Sequence, residues 1–199
     1  MTMMRETTDA EIRAALHSKK LRAVRDAPDT IVVDELGLAH AKVRVDIAVI
    51  NGCVHGYEIK SGLDTLERLP DQLAHYSRCL CKLTLVCAPR HTDRVNKLVP
   101  AWCGIVQAEK GPRGAVSFTT VRRTRANPNV EPVQLAHLLW RAEAAELLSR
   151  HGACEKLLRK SRKELYKHLA EVMTIQQLSR SIREFMLARR EWRDLPAPA

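Results

Sequence analysis

Apolar positions along this chain follow two different periods, and the switches between them mark out its elements. From Thr8 onward they recur at helical spacing. Ile12, Leu16 and residues 21–24 give one apolar side, and Thr8 with Glu11 forms a capping-box start. Pro28-Asp29 ends that region, and three strand-like runs follow at residues 30–33, 43–50 and 53–60. The helical period returns over 63–80, with a restart at Pro70, a residue suited to a first turn. Residues 82–88 are continuously apolar, as in a strand buried on both faces. A helix at 92–99, a strand at 104–108 and a hairpin at 111–120 complete an α/β part. Residues 121–130 are basic, contain Pro128 and read as a linker. Helical stretches follow at 131–150, 155–172 and 175–192, the last capped by Thr174 with Gln177, and a Pro/Ala tail closes the chain at 195–199. The expected organisation is therefore an α/β core over 1–120, a basic linker over 121–130 and a helical extension over 131–195.

Residues 42–60 carry the most chemistry. On the first strand of this hairpin, Val43, Val45, Ile47 and Val49 share one face, leaving Arg44, Asp46 and Ala48 on the other. On the second, Tyr57 and Ile59 alternate with Glu58 and Lys60. A two-residue turn at Asn51-Gly52 would drive Glu58 and Lys60 into the aliphatic face, and burying unpaired charge is costly. A three-residue turn, Ile50-Asn51-Gly52 with Gly52 left-handed, avoids this. Asp46 then faces Gly56, Arg44 faces Glu58, and Asp46 lies about 7–8 Å from Glu58 between backbones. Two carboxylates so placed can share Mg²⁺ or Mn²⁺, with Lys60 on the same face and the Ile59 carbonyl as a further ligand.

Composition narrows the setting. The balance of 45% hydrophobic and 28% charged residues is that of a folded globular chain. No run reaches the roughly 20 apolar residues of a membrane helix, and the acidic residues near the start are unlike a signal peptide, so a cytoplasmic protein is expected. The six cysteines form no C-x-x-C pair and read as buried thiols. Net charge is +10, and it is uneven: residues 1–120 hold 17 Lys/Arg against 14 Asp/Glu, while residues 121–199 hold 16 against 9. That excess favours a polyanionic partner.

Asp46, followed across a hairpin by Glu58-Ile59-Lys60, resembles the motif of PD-(D/E)xK phosphodiesterases. Gln72-x-x-x-Tyr76 is similar to the signature of the RecB-like branch of that superfamily, and the likeness covers roughly residues 8–110. Val45 stands where the motif often has proline, and Pro28-Asp29 and Pro70-Asp71 are decoys outside the right context. The resemblance implies a restriction-endonuclease-like core: helix, three-stranded antiparallel meander, helix and strand in a mixed sheet. It implies a Mg²⁺- or Mn²⁺-dependent nuclease hydrolysing DNA phosphodiesters. Asp46 and Glu58 would be metal ligands, Lys60 the catalytic lysine, and Gln72 and Tyr76 supporting groups.

Each of these readings has a plainer rival. Glu11 is either a further metal ligand or a capping residue, and Glu35 either approaches the metal or is a surface acid before Gly37. His55 falls on the apolar face as a satisfied histidine, and the other histidines singled out, His137 among them, show no metal-binding spacing. Arg44, Lys156, Arg159, Lys160, Arg162 and Lys163 are candidate phosphate contacts, against the default of solvated faces. Two other functions stand beside the nuclease: a non-catalytic module binding nucleic acid or a partner, and a nuclease for RNA or branched DNA. A homodimer would supply the two sites needed to cut both strands.

Overall fold

The computed structural model describes residues 6–193, and the Pro/Ala tail expected at 195–199 lies outside them. Its centre is a six-stranded mixed sheet in the order β1 to β6. The strands are β1 (Ile31–Leu38), β2 (Val43–Ile50), β3 (Val54–Lys60), β4 (Lys82–Cys87), β5 (Gly104–Lys110) and β6 (Val116–Arg122). β1, β2 and β3 form an antiparallel meander, β4 and β5 continue parallel to β3, and β6 turns back antiparallel. An α/β fold with a mixed sheet is thus what the chain adopts.

Both faces of the sheet are buried. On one side, helix α1 (Asp9–Ala15) and the π-helical turn Leu16–Lys20 place Ile12, Leu16 and Leu21 against Ile47, Val49, Ile59 and Val86. The capping box expected at Thr8 and Glu11 starts α1. The turn then widens, with Leu21 N–H reaching Leu16 C=O at 2.8 Å, before the single turn α2 (Arg22–Arg25). On the other side, α3 (Leu69–Cys79) brings Leu73 and Tyr76 onto Val45, Ala48, Leu83 and Leu85. The short α4 (Thr92–Leu98) packs Val95 into the same core.

That second core runs without a break into the C-terminal helices: α5 (Pro132–Ala136), α6 (Arg141–Arg150), α7 (Glu155–Leu158), α8 (Arg162–Val172) and α9 (Ile175–Arg193). The segment between sheet and helices is docked rather than free. Asn127 Nδ2 donates to the carbonyls of Ser77 and Leu80, both at 2.7 Å, and Asn127 N–H reaches Cys81 C=O at 2.9 Å. Glu131 N–H closes on Arg78 C=O at 3.0 Å, so carbonyls at the end of α3 are satisfied by the incoming chain.

Three expected helices are shorter or divided. Residues 63–68 are not helical, because Asp64 turns back to accept Ser61 N–H at 2.7 Å and Ser61 Oγ at 2.6 Å. The stretch 131–150 breaks where Trp140 is extended and its N–H meets Glu143 Oε2 at 2.7 Å. The stretch 155–172 breaks at Ser161, which with Glu164 forms a second capping box.

The β2–β3 turn has the expected three residues, one step later along the chain. Ile50 pairs with Val54 and Ala48 with Gly56, leaving Asn51-Gly52-Cys53 as the turn, with Gly52 at φ +104°. Holding Ile50 in a turn would expose it, whereas both Ile50 and Val54 are fully buried in this register. The shift preserves parity, so Glu58 and Lys60 keep their common side. It moves Gly56 away from Asp46: a Cβ there would sit 2.6 Å from Leu80 Cδ1 and 3.0 Å from Val45 Cγ2. Gly56 therefore makes room for apolar packing, and not for an ion as expected.

Candidate functional site

The β2–β3 ladder stops at the Ile47–Tyr57 pair, and Asp46 fills the gap beyond it. Its Oδ2 accepts Ile59 N–H at 2.6 Å, the bond a neighbouring strand's carbonyl would otherwise make. Its Oδ1 accepts Arg13 Nη2 at 3.2 Å, and its backbone carbonyl accepts Arg13 Nη1 at 2.7 Å. Alternation breaks here as well, for Val45 packs with Ala48 and Ile50 in the α3-side core. Burial, followed by the nearby Glu58 carboxylate, pushes the Asp46 carboxyl up to about 7 against the pull of Ile59 N–H and Arg13.

Glu58 is 2% exposed, and three donors surround it. Its Oε1 accepts Lys60 Nζ and Gln72 Nε2, both at 2.7 Å, and the Tyr76 hydroxyl lies 2.7 Å from Oε2. Lys60 Nζ also donates to Gln72 Oε1 at 3.0 Å. The same Tyr76 hydroxyl stands 2.6 Å from the Arg44 carbonyl, so one proton serves two acceptors. Burial and the adjacent Glu58 raise the Tyr76 phenol far above its ordinary range, which keeps it a neutral donor. Asp46, Glu58, Lys60, Gln72 and Tyr76 thus converge from β2, β3 and α3. Asp46 and Gln72 border an open groove of about 460 Å³ whose lining also includes Glu35, Lys42, Arg44, Arg68, Asp71 and His75.

Of the remaining candidate ligands, Glu35 lines the same groove and shares Arg13 with Asp46, whereas Glu11 and the Ile59 carbonyl do not join them. Glu11 is held by its capping box and by Lys110 Nζ. Glu35 sits in a left-handed conformation at φ 53° and takes Arg13 Nη2 at 2.9 Å. Ile59 contributes its N–H, to Asp46. Among the described residues no three His, Cys, Asp or Glu side chains gather to hold a metal ion. Every oxygen of Asp46 and Glu58 already has a protein donor, and the Arg13 guanidinium lies where a cation would compensate Asp46. This donor set, as arranged, does not fit Mg²⁺ or Mn²⁺, which need several free oxygens. The arrangement is a closed network that spans the splayed strands and fastens α3 to them.

Arg13 is the member that sequence reasoning missed. Its one readable signal is the i, i+4 spacing to Asp9, with Nε–Oδ1 at 3.2 Å. His55 behaves as expected, stacked on Tyr57 at 4.4 Å with Nε2 2.9 Å from Thr84 Oγ1, and burial lowers its imidazole to about 4. The basic candidates are dispersed. Arg44 lines the groove, and Lys156, Arg159 and Lys160 are exposed around α7, Arg159 paired with Glu155 and Lys160 with Glu164. Arg162 and Lys163 border a second pocket together with Lys167, against His40, His137 and Tyr166.

Comparison with known proteins settles the family. The family model for bacteriophage P4 protein cII matches residues 3–194. Protein cII of Enterobacteria phage P4 is 29% identical over 159 residues, covering 80% of this chain and 58% of that protein. The chain thus spans less than two thirds of the length of this relative. No solved structure matches. These findings overturn the assignment to the PD-(D/E)xK superfamily and its RecB-like branch, and with it the expected metal-dependent nuclease and hydrolase activity. A carboxylate pair, a lysine and a glutamine–tyrosine helix supplied the motif, and each of the two carboxylates is held by protein donors. The chain belongs to the bacteriophage P4 protein cII family.

Proposed function

We propose that this protein is a non-catalytic nucleic-acid-binding module that engages DNA through the basic surface of its C-terminal helices. The observation that carries the reading is the charge asymmetry: residues 121–199 hold 16 Lys/Arg against 9 Asp/Glu. Lys156, Arg159, Lys160, Arg162, Lys163 and Lys167 are all exposed. Exposed cations of this kind contact phosphates and release counterions, giving affinity without reading sequence. The network around Glu58 supports a structural role for the former catalytic candidates, since buried charge satisfied on every side is costly to reopen. As architecture, the reading keeps the element order of a restriction-endonuclease-like core without its chemistry. Residues 1–120 act as scaffold and 131–195 as the binding extension. No helix among the described residues is long and apolar enough to cross a membrane, and a DNA-binding role goes with a cytoplasmic location.

The test is fluorescence anisotropy with a labelled 20-base-pair duplex, from about 50 to 200 mM salt, in Mg²⁺ and in EDTA. The expected result is a linear fall of log affinity with log salt in EDTA, with a slope of about −0.9 per phosphate contacted, and no gain of affinity in Mg²⁺. Replacing Lys156, Arg159 and Lys160 by glutamate weakens binding at every sequence tested. Salt-independent affinity, or unchanged binding by the charge-reversed variant, would sink the proposal.

A further inference from the structure

Away from the Asp46–Glu58 network, a pocket of about 490 Å³ opens between the β1–β2 turn, α5 and α8. Its floor is a stack of rings: His40 lies on His137 with centroids 4.0 Å apart and planes 27° apart, and Tyr166 adjoins both at 6.1 and 5.1 Å. The Tyr166 hydroxyl is turned away, donating to Leu139 C=O at 2.6 Å. The residue is 1% exposed, and its ring backs the pair of imidazoles. Arg162, Lys163 and Lys167 of α8 line the same cavity.

Two costs are stored at this place. Ala39, His40 and Ala41 are all left-handed, at φ 49°, 60° and 63°, although none is glycine. Such backbone persists only where the surroundings enforce it, and it concentrates at ligand sites. His137 Nδ1 is buried with no hydrogen-bond partner, a second feature that stability alone does not select. Burial, followed by nearby charged groups, lowers both imidazoles from their ordinary value, His137 to about 4, and the two rings stand beside three cations.

Resting on the nucleic-acid reading above, we infer that this pocket receives one unpaired nucleotide unit, its base against the His40–His137 stack and its phosphate on Arg162, Lys163 and Lys167. Histidine rings stack on bases as other aromatics do, and the neighbouring cations supply the backbone contact. The volume lies within the range of small-ligand pockets. A duplex cannot offer a base to this pocket without unpairing it, so the site distinguishes single from double strands. The shared chemistry is a nucleoside phosphate, whether a free mononucleotide or a segment of single strand.

The experiment measures affinity of the full chain for a 12-nucleotide single strand, the matching 12-base-pair duplex and a nucleoside 5′-monophosphate. Wild type and His40→Ala are compared, and histidine ring resonances are followed by NMR. The expected outcome is tighter binding of the single strand than of the duplex. His40→Ala loses about tenfold for the single strand and nothing for the duplex. The His40 and His137 resonances shift with single strand, and with mononucleotide too if the free nucleotide is a ligand. Replacing Arg162 and Lys163 by alanine lowers single-strand affinity while the circular dichroism spectrum is retained. Equal affinity for both strands with no effect of His40→Ala overturns the pocket and leaves the basic-surface reading standing. Absence of binding to either form overturns both.

Discussion

Tyr76→Phe removes one oxygen from the centre of the Glu58 network and changes little else. The side chain is fully buried, and its ring packs in the α3-side core, so the variant keeps the apolar contacts. It loses the hydroxyl 2.7 Å from Glu58 Oε2 and 2.6 Å from the Arg44 carbonyl. Water has little access to replace it, because Glu58 is 2% exposed. A buried hydrogen bond to a charged group is worth about 1.5–3 kcal/mol, and an orphaned acceptor costs a comparable amount. The expected loss is therefore about 2–3 kcal/mol. For a chain of this size that lowers Tm by about 4–12 °C. Urea unfolding followed by circular dichroism measures it, with the slope m unchanged if only the native state is affected. The same substitution made on Glu58→Gln should cost less than about 1 kcal/mol, since the acceptor is then neutral. A fall in Tm within about 1 °C, or an equal loss in both backgrounds, refutes the reasoning.

Lys60→Met leaves Glu58 buried without its cation and should destabilise by about 3–5 kcal/mol, whereas Lys60→Met with Glu58→Gln recovers most of it. Full stability in the single variant would show that the ion pair of 2.7 Å does no structural work. The Asp46 carboxyl, raised to about 7 from 3.8, binds its proton more tightly folded than unfolded. Its contribution to stability is therefore complete below the unfolded value and is lost as pH climbs toward 7, by about 4 kcal/mol in all. Urea midpoints at pH 4.5 and 8 test this, and Asp46→Asn should flatten the difference; an unchanged slope in the variant contradicts it. Gly56→Ala puts a Cβ 2.6 Å from Leu80 Cδ1 and should cost about 1–3 kcal/mol, and combined with Leu80→Ala the total loss should be less than the sum of the two separate losses.

Much of the fold is written in local pattern. The alternation of Val43 to Ile50, the apolar run of β4 and the Thr8–Glu11 capping box all specify structure within a few residues. Even the break at Ser161 had a signal, since Ser161-Arg-Lys-Glu164 is the same box as Thr8-Asp-Ala-Glu11. The pairing of Glu58 with Lys60 and of Gln72 with Tyr76 was also legible, because strand parity and one helical turn dictate who shares a face. Asp46 joins them through the break in alternation at Val45. What the cluster does was not. Whether a carboxylate is open to an ion or closed by donors depends on Arg13, 33 residues distant, and on the splay that hands Asp46 the Ile59 N–H. The stack of His40 on His137 was invisible for the same reason, joining a strained turn to the end of a helix nearly a hundred positions later.

The clip made by Asn127 has a consequence for the order in which this protein is made. The carbonyl of Ser77, at the end of α3, waits for an amide 50 residues further along the chain. At about 5–20 residues per second, a ribosome needs roughly 3–10 s to deliver it. During that interval the helix that carries Gln72 and Tyr76 has emerged, while part of the groundwork beneath it has not yet been synthesised. The helix can settle into its final seat only once the later segment arrives to clasp it, so the two halves of the molecule mature together.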